Sequence, residues 1–202
     1  MRRINNMEMN SLPNSVTVDR QGRSVYDLYS ANYEKRRVYL FETIDNKIAN
    51  ETVVSIDTLA EKSTEDINLW INCCGGGSVS GGNAIIDAMR RAQKRGIIVR
   101  TIVTGMAASM AAVIASAGTK GFRMITPNAE MMIHQPLGGV QGQAEDIELT
   151  ARHIAKTRLK LNTMLAESCG KAVSEIARDT DRDYYLDAEE AISYGLVDKI
   201  YD

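Results

Sequence analysis

The sequence is poor in the residues that build metal sites and disulfide frameworks. Its 202 residues include two histidines, His134 and His153, and three cysteines, Cys73, Cys74 and Cys169. No Cys-x-x-Cys or His-Glu-x-x-His spacing occurs, which argues against a structural or catalytic zinc site. An odd number of cysteines, two of them adjacent, is typical of a reducing compartment. We therefore expect a cytoplasmic protein that needs no metal.

A strong charge of one sign and long apolar runs are also lacking. Lysine and arginine total 24 and aspartate and glutamate 26, and no single-sign block suggests a nucleic-acid or membrane-binding face. Lys120 and Arg123 interrupt the longest apolar candidate before it reaches the roughly 18 residues that span a bilayer. The N-terminal MRRINNMEMNSLPNS has no apolar core of a secretory signal, so we treat it as an extension outside the core fold. Nucleic-acid-binding and membrane-spanning classes are thus disfavoured.

From about residue 37 the chain alternates strand-like and helix-like segments. The strand candidates are RVYLFETI, INLWINCC, IIVRTIVTG, FRMIT and MMIHQ, and the helix candidates are ANETVVSIDTLAEKS, GGNAIIDAMRRAQKR and the small-residue run AASMAAVIASAG. Strands separated by helices form right-handed βαβ units and hence a mostly parallel sheet. The sequence predicts an α/β fold whose sheet is covered by helices.

A long helix is predicted after the loop PLGGVQGQ. It comprises AEDIELTARHIAKTRLKLNTMLAESCG, and its apolar residues are too scattered to define one narrow stripe. A helix of this length in a small domain is expected to project from the body and pack against another subunit.

Three loops follow predicted strands and carry polar or small residues: CCGGGSVSGG, TGMAAS and IHQPLGG. In α/β sheets, functional groups gather beyond the carboxyl ends of the strands. The first loop lacks the Gly-Lys-Ser/Thr ending of a P-loop and the Gly-x-Gly-x-x-Gly spacing of a dinucleotide fold. It is better interpreted as a flexible turn with exposed backbone amides.

Ser109 and His134 are the candidate reactive side chains. Ser109 is expected in the first turn of the buried helix, where free N–H groups stabilise developing negative charge. This pattern alone favours a small residue chosen for close packing, because the surrounding GxxxS is not a Gly-x-Ser-x-Gly elbow. His134 ends the strand MMIH before a Gln-Pro pair, whereas His153 lies in the middle of a helix, so His134 is the better base.

The acidic segment DTDRDYYLDAEE has two interpretations. Most positions of a calcium loop are filled by acids, at Asp179, Asp181, Asp183, Asp187 and Glu190. Tyr184 stands where the sharp turn of that loop needs glycine. A capping box in which Asp187 begins a helix and Glu190 is its third residue explains two of the acids without a metal.

Taken together, the motifs resemble the ClpP family, the proteolytic subunits of the Clp protease. They are GRSVYDLYS, GGSVSGGNAIIDAM, GMAASMAAVIASAG, MIHQPLGGVQGQAEDIELTARHI and DRDYYLDAEEAISYGLVDKI. The resemblance implies a ClpP/crotonase-like ββα superhelix and a serine endopeptidase. Ser109 would be the nucleophile, His134 the general base and Asp183 the third triad residue, with the amides of Gly77 and Met110 as the oxyanion hole.

The resemblance also implies how substrate is held. Segments 77 to 80 and 138 to 142 match the extended strands between which the family lays its peptide. Ser78, Val79, Gly138, Gly139 and Val140 are the substrate-binding candidates. Pairing with substrate main chain would give weak sequence preference.

Assembly and partners follow from the same resemblance. The helix from about 144 to 169 would be the handle joining two heptameric rings into a tetradecamer, with Asp181 and Arg182 at the ring contact. Unfolded chains would be fed by an AAA+ unfoldase that uses ATP, while this chain holds no cofactor. Residues 1–18, around Leu12-Pro13, would form an axial gate, and residues 19–202 a single protease domain.

The sequence departs from the family pattern at several positions. Cys73-Cys74-Gly75-Gly76-Gly77 replaces Ser-Pro-Gly-Gly and is one residue longer, so the first oxyanion donor is Gly76 or Gly77, with the register favouring Gly77. Ala111 replaces a glycine. Asn68 and Arg91 stand where the family has aromatic residues that receive the hydrophobic loop of the unfoldase.

Other functions share parts of this pattern. A crotonase-like hydratase or isomerase would use the glycine-loop amides but would not need Ser, His and Asp together. A latent or regulatory ring subunit, or a protease of a phage or mobile element used for maturation, would keep the fold with a different role.

Overall fold

The computed structural model describes residues 14–19 and 22–202. The chain divides into two compact units, one ending at Arg37 and the other comprising Val38–Asp202. In the first unit β1 (Asn14–Asp19) pairs antiparallel with β2 (Gly22–Asp27), and α1 (Leu28–Glu34) follows. Strand β1 thus runs across the predicted boundary at residue 18. The predicted gate residues Leu12 and Pro13 lie outside the described residues.

The second unit alternates strands and helices. Its first half contains β3 (Arg37–Leu40), which begins at the boundary, α2 (Asn46–Lys62), β4 (Ile67–Cys73), α3 (Val79–Lys94), β5 (Val99–Ala108) and α4 (Met110–Ser116). Its second half contains β6 (Arg123–Ile125), β7 (Glu130–Ile133), α5 (Ala144–Cys169), α6 (Val173–Asp179), β8 (Tyr184–Leu186), α7 (Ala188–Tyr194) and β9 (Lys199–Ile200).

One sheet organises this unit, with strand order β3-β4-β5-β6-β9. The pairs β4–β5, β5–β6, β5–β7 and β6–β9 are parallel, and β8 adds antiparallel to β7. One face of β4 is fully buried, through Ile67, Leu69 and Ile71. The predicted α/β class with a mainly parallel sheet is confirmed.

The small-residue run 107–118 is not one helix, contrary to the sequence-based expectation. Ala107 and Ala108 belong to β5 because they pair with Met131 and Met132 of β7. Only Met110–Ser116 is helical, and every one of these residues is buried. Tertiary pairing overrides the helix preference of alanine here, since β7 offers the backbone of residues 107 and 108 a strand partner.

The predicted long helix α5 is confirmed, and its N-terminal turns project from the unit with no buried residue before Leu161. Its buried residues all lie in its C-terminal part, from Leu161 to Ala166. The preceding turns expose Ile147, Leu149 and Leu159. Gly170 ends the helix in the left-handed conformation, with φ of 71°. Within the described residues, no helix is both long and apolar enough to cross a bilayer.

A buried ion pair between Arg123 and Asp198 connects β6 with the C-terminal ends of α4 and α5. Arg123 is 1% exposed and its Nη2 lies 2.6 Å from Asp198 Oδ1. Its Nη1 donates to the carbonyls of Ser116 and Ser168, near the ends of α4 and α5. Burial acts to raise the pKa of Asp198, but hydrogen bonds from the Arg123 guanidinium and amide outweigh it and lower this pKa below its usual value. The pair therefore favours the ionised carboxylate.

Candidate active site

Ser109 occupies a sharp turn between β5 and α4. It is the N-cap residue of α4 and has φ of 57° and ψ of −123°. A non-glycine residue in a rarely populated backbone region costs roughly 1–3 kcal/mol and persists only when its surroundings enforce it. Here the Ser109 amide donates to the Met132 carbonyl at 2.8 Å, and the amide of Ala112 donates to the Ser109 carbonyl at 3.0 Å.

This position corrects the expectation that Ser109 stands in the first helical turn. The residue precedes the helix, and its hydroxyl makes no capping hydrogen bond to the helix amides. The hydroxyl is thereby left to bond elsewhere. The chain thus forms a strand-to-helix elbow, although its sequence lacks the glycine pattern usually associated with one.

His134 and Asp183 are brought together by the register of two antiparallel strands. Ile133, the last residue of β7, pairs with Tyr184, the first residue of β8. In an antiparallel pair, one step forward on one strand is opposite one step back on the other. His134 and Asp183 are therefore the next facing positions beyond the ladder.

The three side chains form a continuous hydrogen-bonded chain. His134 Nε2 lies 2.8 Å from Ser109 Oγ. His134 Nδ1 lies 3.2 Å from Asp183 Oδ1. The imidazole is 12% exposed, whereas the Asp183 side chain is 57% exposed. The structure thus brings together the three residues that the sequence singles out.

Gln135 supports this arrangement and was missed by sequence reasoning. Its amide donates to the Thr180 carbonyl at 2.6 Å, and its Nε2 donates to the Asp181 carbonyl at 2.8 Å. The residue after His134 is thereby bonded to the segment just before Asp183. No signal in the sequence indicates this, because the two partners are backbone carbonyls more than 40 residues away.

The glycine loop passes directly against Ser109. A Cβ built on Gly76 would lie 2.6 Å from Ser109 Cβ and 2.8 Å from the Ala108 carbonyl oxygen. Gly77 has φ of 124°, and a Cβ there would lie 2.4 Å from the Ile44 carbonyl oxygen. Both positions need glycine, because a side chain at Gly76 would push the loop away from Ser109 and one at Gly77 would push it away from the Ile44 backbone.

The predicted oxyanion donors lie beside the serine. Ile44 accepts from Ser78 N at 2.7 Å and donates to Gly76 O at 2.8 Å, which leaves the Gly77 amide directed to the opposite side. Met110 is the first residue of α4, where an amide has no intrahelical acceptor. Both residues line the same cavity as Ser109. Their role in binding an oxyanion stays a prediction.

The cavity next to Ser109 and His134 has a volume of about 250 Å³. Cys74, Gly75, Gly77 and Val79 line it on the loop side. The rest of its wall is apolar apart from the two reactive residues, and comprises Met110, Val113, Met132, Pro136, Leu137, Leu161 and Leu165. Leu161 and Leu165 belong to α5, so the long helix contributes directly to this cavity.

The two predicted substrate segments differ in conformation. Val79 begins α3, which corrects the expectation of an extended strand over residues 77 to 80. The Ser78 hydroxyl accepts from the Gly81 amide at 3.1 Å and so caps that helix. Residues 138–140, the Gly138-Gly139-Val140 segment, are exposed and form neither helix nor strand within the chain. The substrate-binding role of these five residues stays a prediction.

The acidic segment contributes a helix cap and an ion pair. Asp187 and Glu190 form the predicted capping box at the start of α7. Asp181 Oδ1 lies 3.4 Å from Arg158 Nη2 on α5, and Arg182 is exposed. Among the described residues, no group of three or more His, Cys, Asp or Glu side chains is arranged to hold a metal ion.

A family model described as Clp protease matches residues 20–202. The chain belongs to the Clp protease family. The resemblance identified from the sequence is thereby confirmed, and with it the assignment to a family of ClpP-type peptidases. The matched range includes Ser109, His134 and Asp183, as well as the whole of the projecting helix α5. Members of the Clp protease family generally form oligomeric rings with Clp ATPases.

Proposed function

We propose that this chain is the serine endopeptidase subunit of an ATP-dependent Clp-type protease. The observation that carries the proposal is the hydrogen-bonded chain from Ser109 through His134 to Asp183, with distances of 2.8 and 3.2 Å. A crotonase-like hydratase would not need Ser109, His134 and Asp183 to be hydrogen-bonded to one another.

The geometry supports acyl transfer through a serine nucleophile. Ser109 Oγ would attack the peptide carbonyl carbon while His134 Nε2 takes its proton. Asp183 would hold the imidazole tautomer with the proton on Nδ1 and stabilise the imidazolium. The imidazolium would then give its proton to the leaving amine. In the second half-reaction His134 would take a proton from the attacking water and return it to Ser109 Oγ as the acyl-enzyme is hydrolysed.

The Gly77 and Met110 amides would bind the oxyanion of the tetrahedral intermediate. Each donor in such a hole contributes about 3 kcal/mol to lowering the barrier. The strained φ of Ser109 supports this role, because it places Oγ beyond the helix while keeping the Met110 amide next to it.

Substrate main chain would pair with the exposed segment 138–140, and one side chain would enter the cavity. Apolar side chains line the cavity, among them Met110, Val113 and Leu165. They favour an apolar residue on the acyl side of the cleaved bond. Main-chain pairing is insensitive to sequence, so unfolded proteins in general would be accepted.

The exposed face of α5 supports an oligomer. Ile147, Leu149 and Leu159 are 42%, 63% and 60% exposed, and a group of exposed apolar side chains on one projecting helix favours a covered interface. We propose heptameric rings joined through α5 into a tetradecamer, with Asp181 and Arg182 at the ring contact. The closed chamber would exclude folded proteins.

An AAA+ unfoldase would deliver substrates and hydrolyse the ATP. A half-exposed aromatic cluster of Tyr39, Phe41, Trp70 and Tyr201 lies on one face of the sheet and supports docking of a hydrophobic loop. Arg91 instead pairs with Asp57 at 2.7 Å, so that part of the surface is polar. The free Cys73, Cys74 and Cys169 support a cytoplasmic location.

Fluorophosphonate labelling of the purified protein tests the proposal, with the modified residue located by mass spectrometry. We expect labelling at Ser109 alone, and none in Ser109→Ala, which should also lose peptide hydrolysis while keeping its assembly. Ser116→Ala is the matched control, because Ser116, the last residue of α4, donates its hydroxyl hydrogen bond to the Val113 carbonyl and not to an imidazole. Absence of labelling in the wild-type chain would favour the latent ring subunit.

A further inference from the structure

Strand β5 changes its partner next to the candidate active site. Residues Thr101–Val103 pair with β6, whereas Met106–Ala108 pair with β7. Strand β7 leads into His134, so the change of partner is what places the end of β5, and hence Ser109, beside the imidazole. The feature that fixes where β5 exchanges β6 for β7 as its partner therefore also fixes the distance between Ser109 and His134.

A bulge in β5 lies at the change of partner. Ile71 pairs with Val103 and Cys73 with Ala107, so β4 advances two residues while β5 advances four. Bulges bend and twist a strand and leave backbone groups without ladder partners. Gly105 lies inside the bulge and has φ of 73°, a conformation that glycine adopts without steric cost.

The side chain of Asn72 closes this bulge from β4. Its Oδ1 accepts a hydrogen bond from the Met106 amide at 3.2 Å. It thereby takes the place of a β4 backbone carbonyl, which the shift in register moves out of reach of this amide. It also packs over Gly105, where a built Cβ would lie 2.6 Å from Asn72 Oδ1. Asn72 is exposed, so the hydrophobic core does not explain an asparagine at this position.

We propose that Asn72 is a positioning residue for the serine nucleophile. Its hydrogen bond holds Met106, which pairs with Glu130 at the start of the β5–β7 ladder. That ladder continues to the bond from Ser109 N to Met132 O. Asn72 thus acts on the reacting atoms through the backbone and touches none of them. This inference rests on the proposed peptidase function.

Kinetics of Asn72→Leu, Asn72→Asp and Asn50→Leu test the inference with a fluorogenic dipeptidyl aminomethylcoumarin that has an apolar acyl residue. Asn72→Leu should lower kcat about 10- to 100-fold, because displacing a catalytic group by less than 1 Å has effects of that size. KM should stay within about twofold, since the cavity is not altered. Asn72→Asp keeps the acceptor oxygen and should restore most of kcat. Asn50→Leu makes the same change at an exposed position of helix α2 and should leave kcat unchanged.

Hydrogen exchange measured by mass spectrometry supplies a readout that does not depend on turnover. Amides of residues 105–109 should exchange faster in Asn72→Leu than in the wild type or in Asn50→Leu. Gly105→Ala, which places a methyl group against Asn72 Oδ1, is the second variant if Asn72→Leu fails to fold, and it should show the same faster exchange and lower kcat.

Two outcomes would overturn the inference. Wild-type kcat and wild-type exchange in Asn72→Leu would show that Met106 is held without Asn72. An equal loss of kcat in Asn50→Leu would show a general effect of replacing an exposed asparagine by leucine. A failure of the peptidase proposal itself is recognised separately, by hydrolysis that survives Ser109→Ala.

Discussion

The Ser109 amide donates a hydrogen bond to the Met132 carbonyl, with an N–O distance of 2.8 Å. Met132 lies two residues before His134, so this bond fixes the elbow that carries the hydroxyl against the strand that carries the imidazole. The Ser109–His134 contact of 2.8 Å therefore depends on main-chain pairing first and on side-chain packing second. Asp183 immediately precedes β8 and takes no part in this hydrogen bond, so it can be altered without disturbing the bond.

Asp183→Asn should keep the fold and lose most activity. An amide at this position would favour the wrong imidazole tautomer, and losses of about 10⁴-fold in kcat are typical of that change. Steady-state hydrolysis of a fluorogenic peptide measures the loss, and circular dichroism with thermal unfolding checks the fold. A variant with the wild-type rate would assign the third role to another group.

Gly76→Ala should disable the serine while leaving most of the fold intact. The new methyl group would lie 2.6 Å from Ser109 Cβ, so either the loop or the elbow must move. Gly96→Ala is the matched control, because Gly96 has φ of 82° but nothing within 4 Å of a built Cβ. We expect slower fluorophosphonate labelling in Gly76→Ala alone, together with a similar small loss of thermal stability in both variants. Equal labelling rates in the two variants would contradict the close approach of the loop to Ser109.

Thiol reagents should modify Cys74 before the other cysteines and inhibit hydrolysis. Burial raises the pKa of Cys73, and burial raises that of Cys169 to about 11, so both thiols are protonated and shielded near neutral pH. Cys74 is exposed and lines the cavity next to Ser109.

Peptide mapping after brief iodoacetamide treatment measures the order of modification, and Cys74→Ser should make hydrolysis resistant to the reagent. Inhibition that persists in Cys74→Ser would place the sensitive thiol elsewhere.

Asp198→Asn should destabilise the fold in a pH-dependent manner. Removing one partner of a buried ion pair costs about 3–5 kcal/mol, because Arg123 is left charged with its partner gone. The folded-state pKa of Asp198 is lowered. Its contribution is therefore fully present above the unfolded-state pKa of about 4 and is lost as the pH falls through the folded-state value.

Thermal unfolding at a series of pH values checks this expectation. The gap in Tm between wild type and Asp198→Asn should be widest near neutrality and should narrow below about pH 4. A gap that stays constant with pH would show that packing, and not the charge of Asp198, is responsible.

Most elements followed from local patterns. The helix α2 and the strand β4 lie where the apolar pattern predicted them, and Asp187 with Glu190 forms the capping box that their spacing indicated. The errors fall at the ends of elements near the site. Ala107 and Ala108 are strand because pairing with β7 outweighs the helix preference of alanine. Val79 is helix because Ser78 caps α3, whereas the family resemblance implied an extended segment there.

By itself the sequence determined the α/β class, the membership of the Clp protease family and the identity of Ser109, His134 and Asp183 as the candidate triad. These depend on periodicity and on motifs, which are local. The tertiary structure alone decided the positive φ of Ser109, the bulge closed by Asn72, the bonds of Gln135 and the contribution of α5 to the cavity. Each of these arises from contacts between backbone groups distant in sequence, which residue identity does not encode, because every residue except proline offers the same amide and carbonyl.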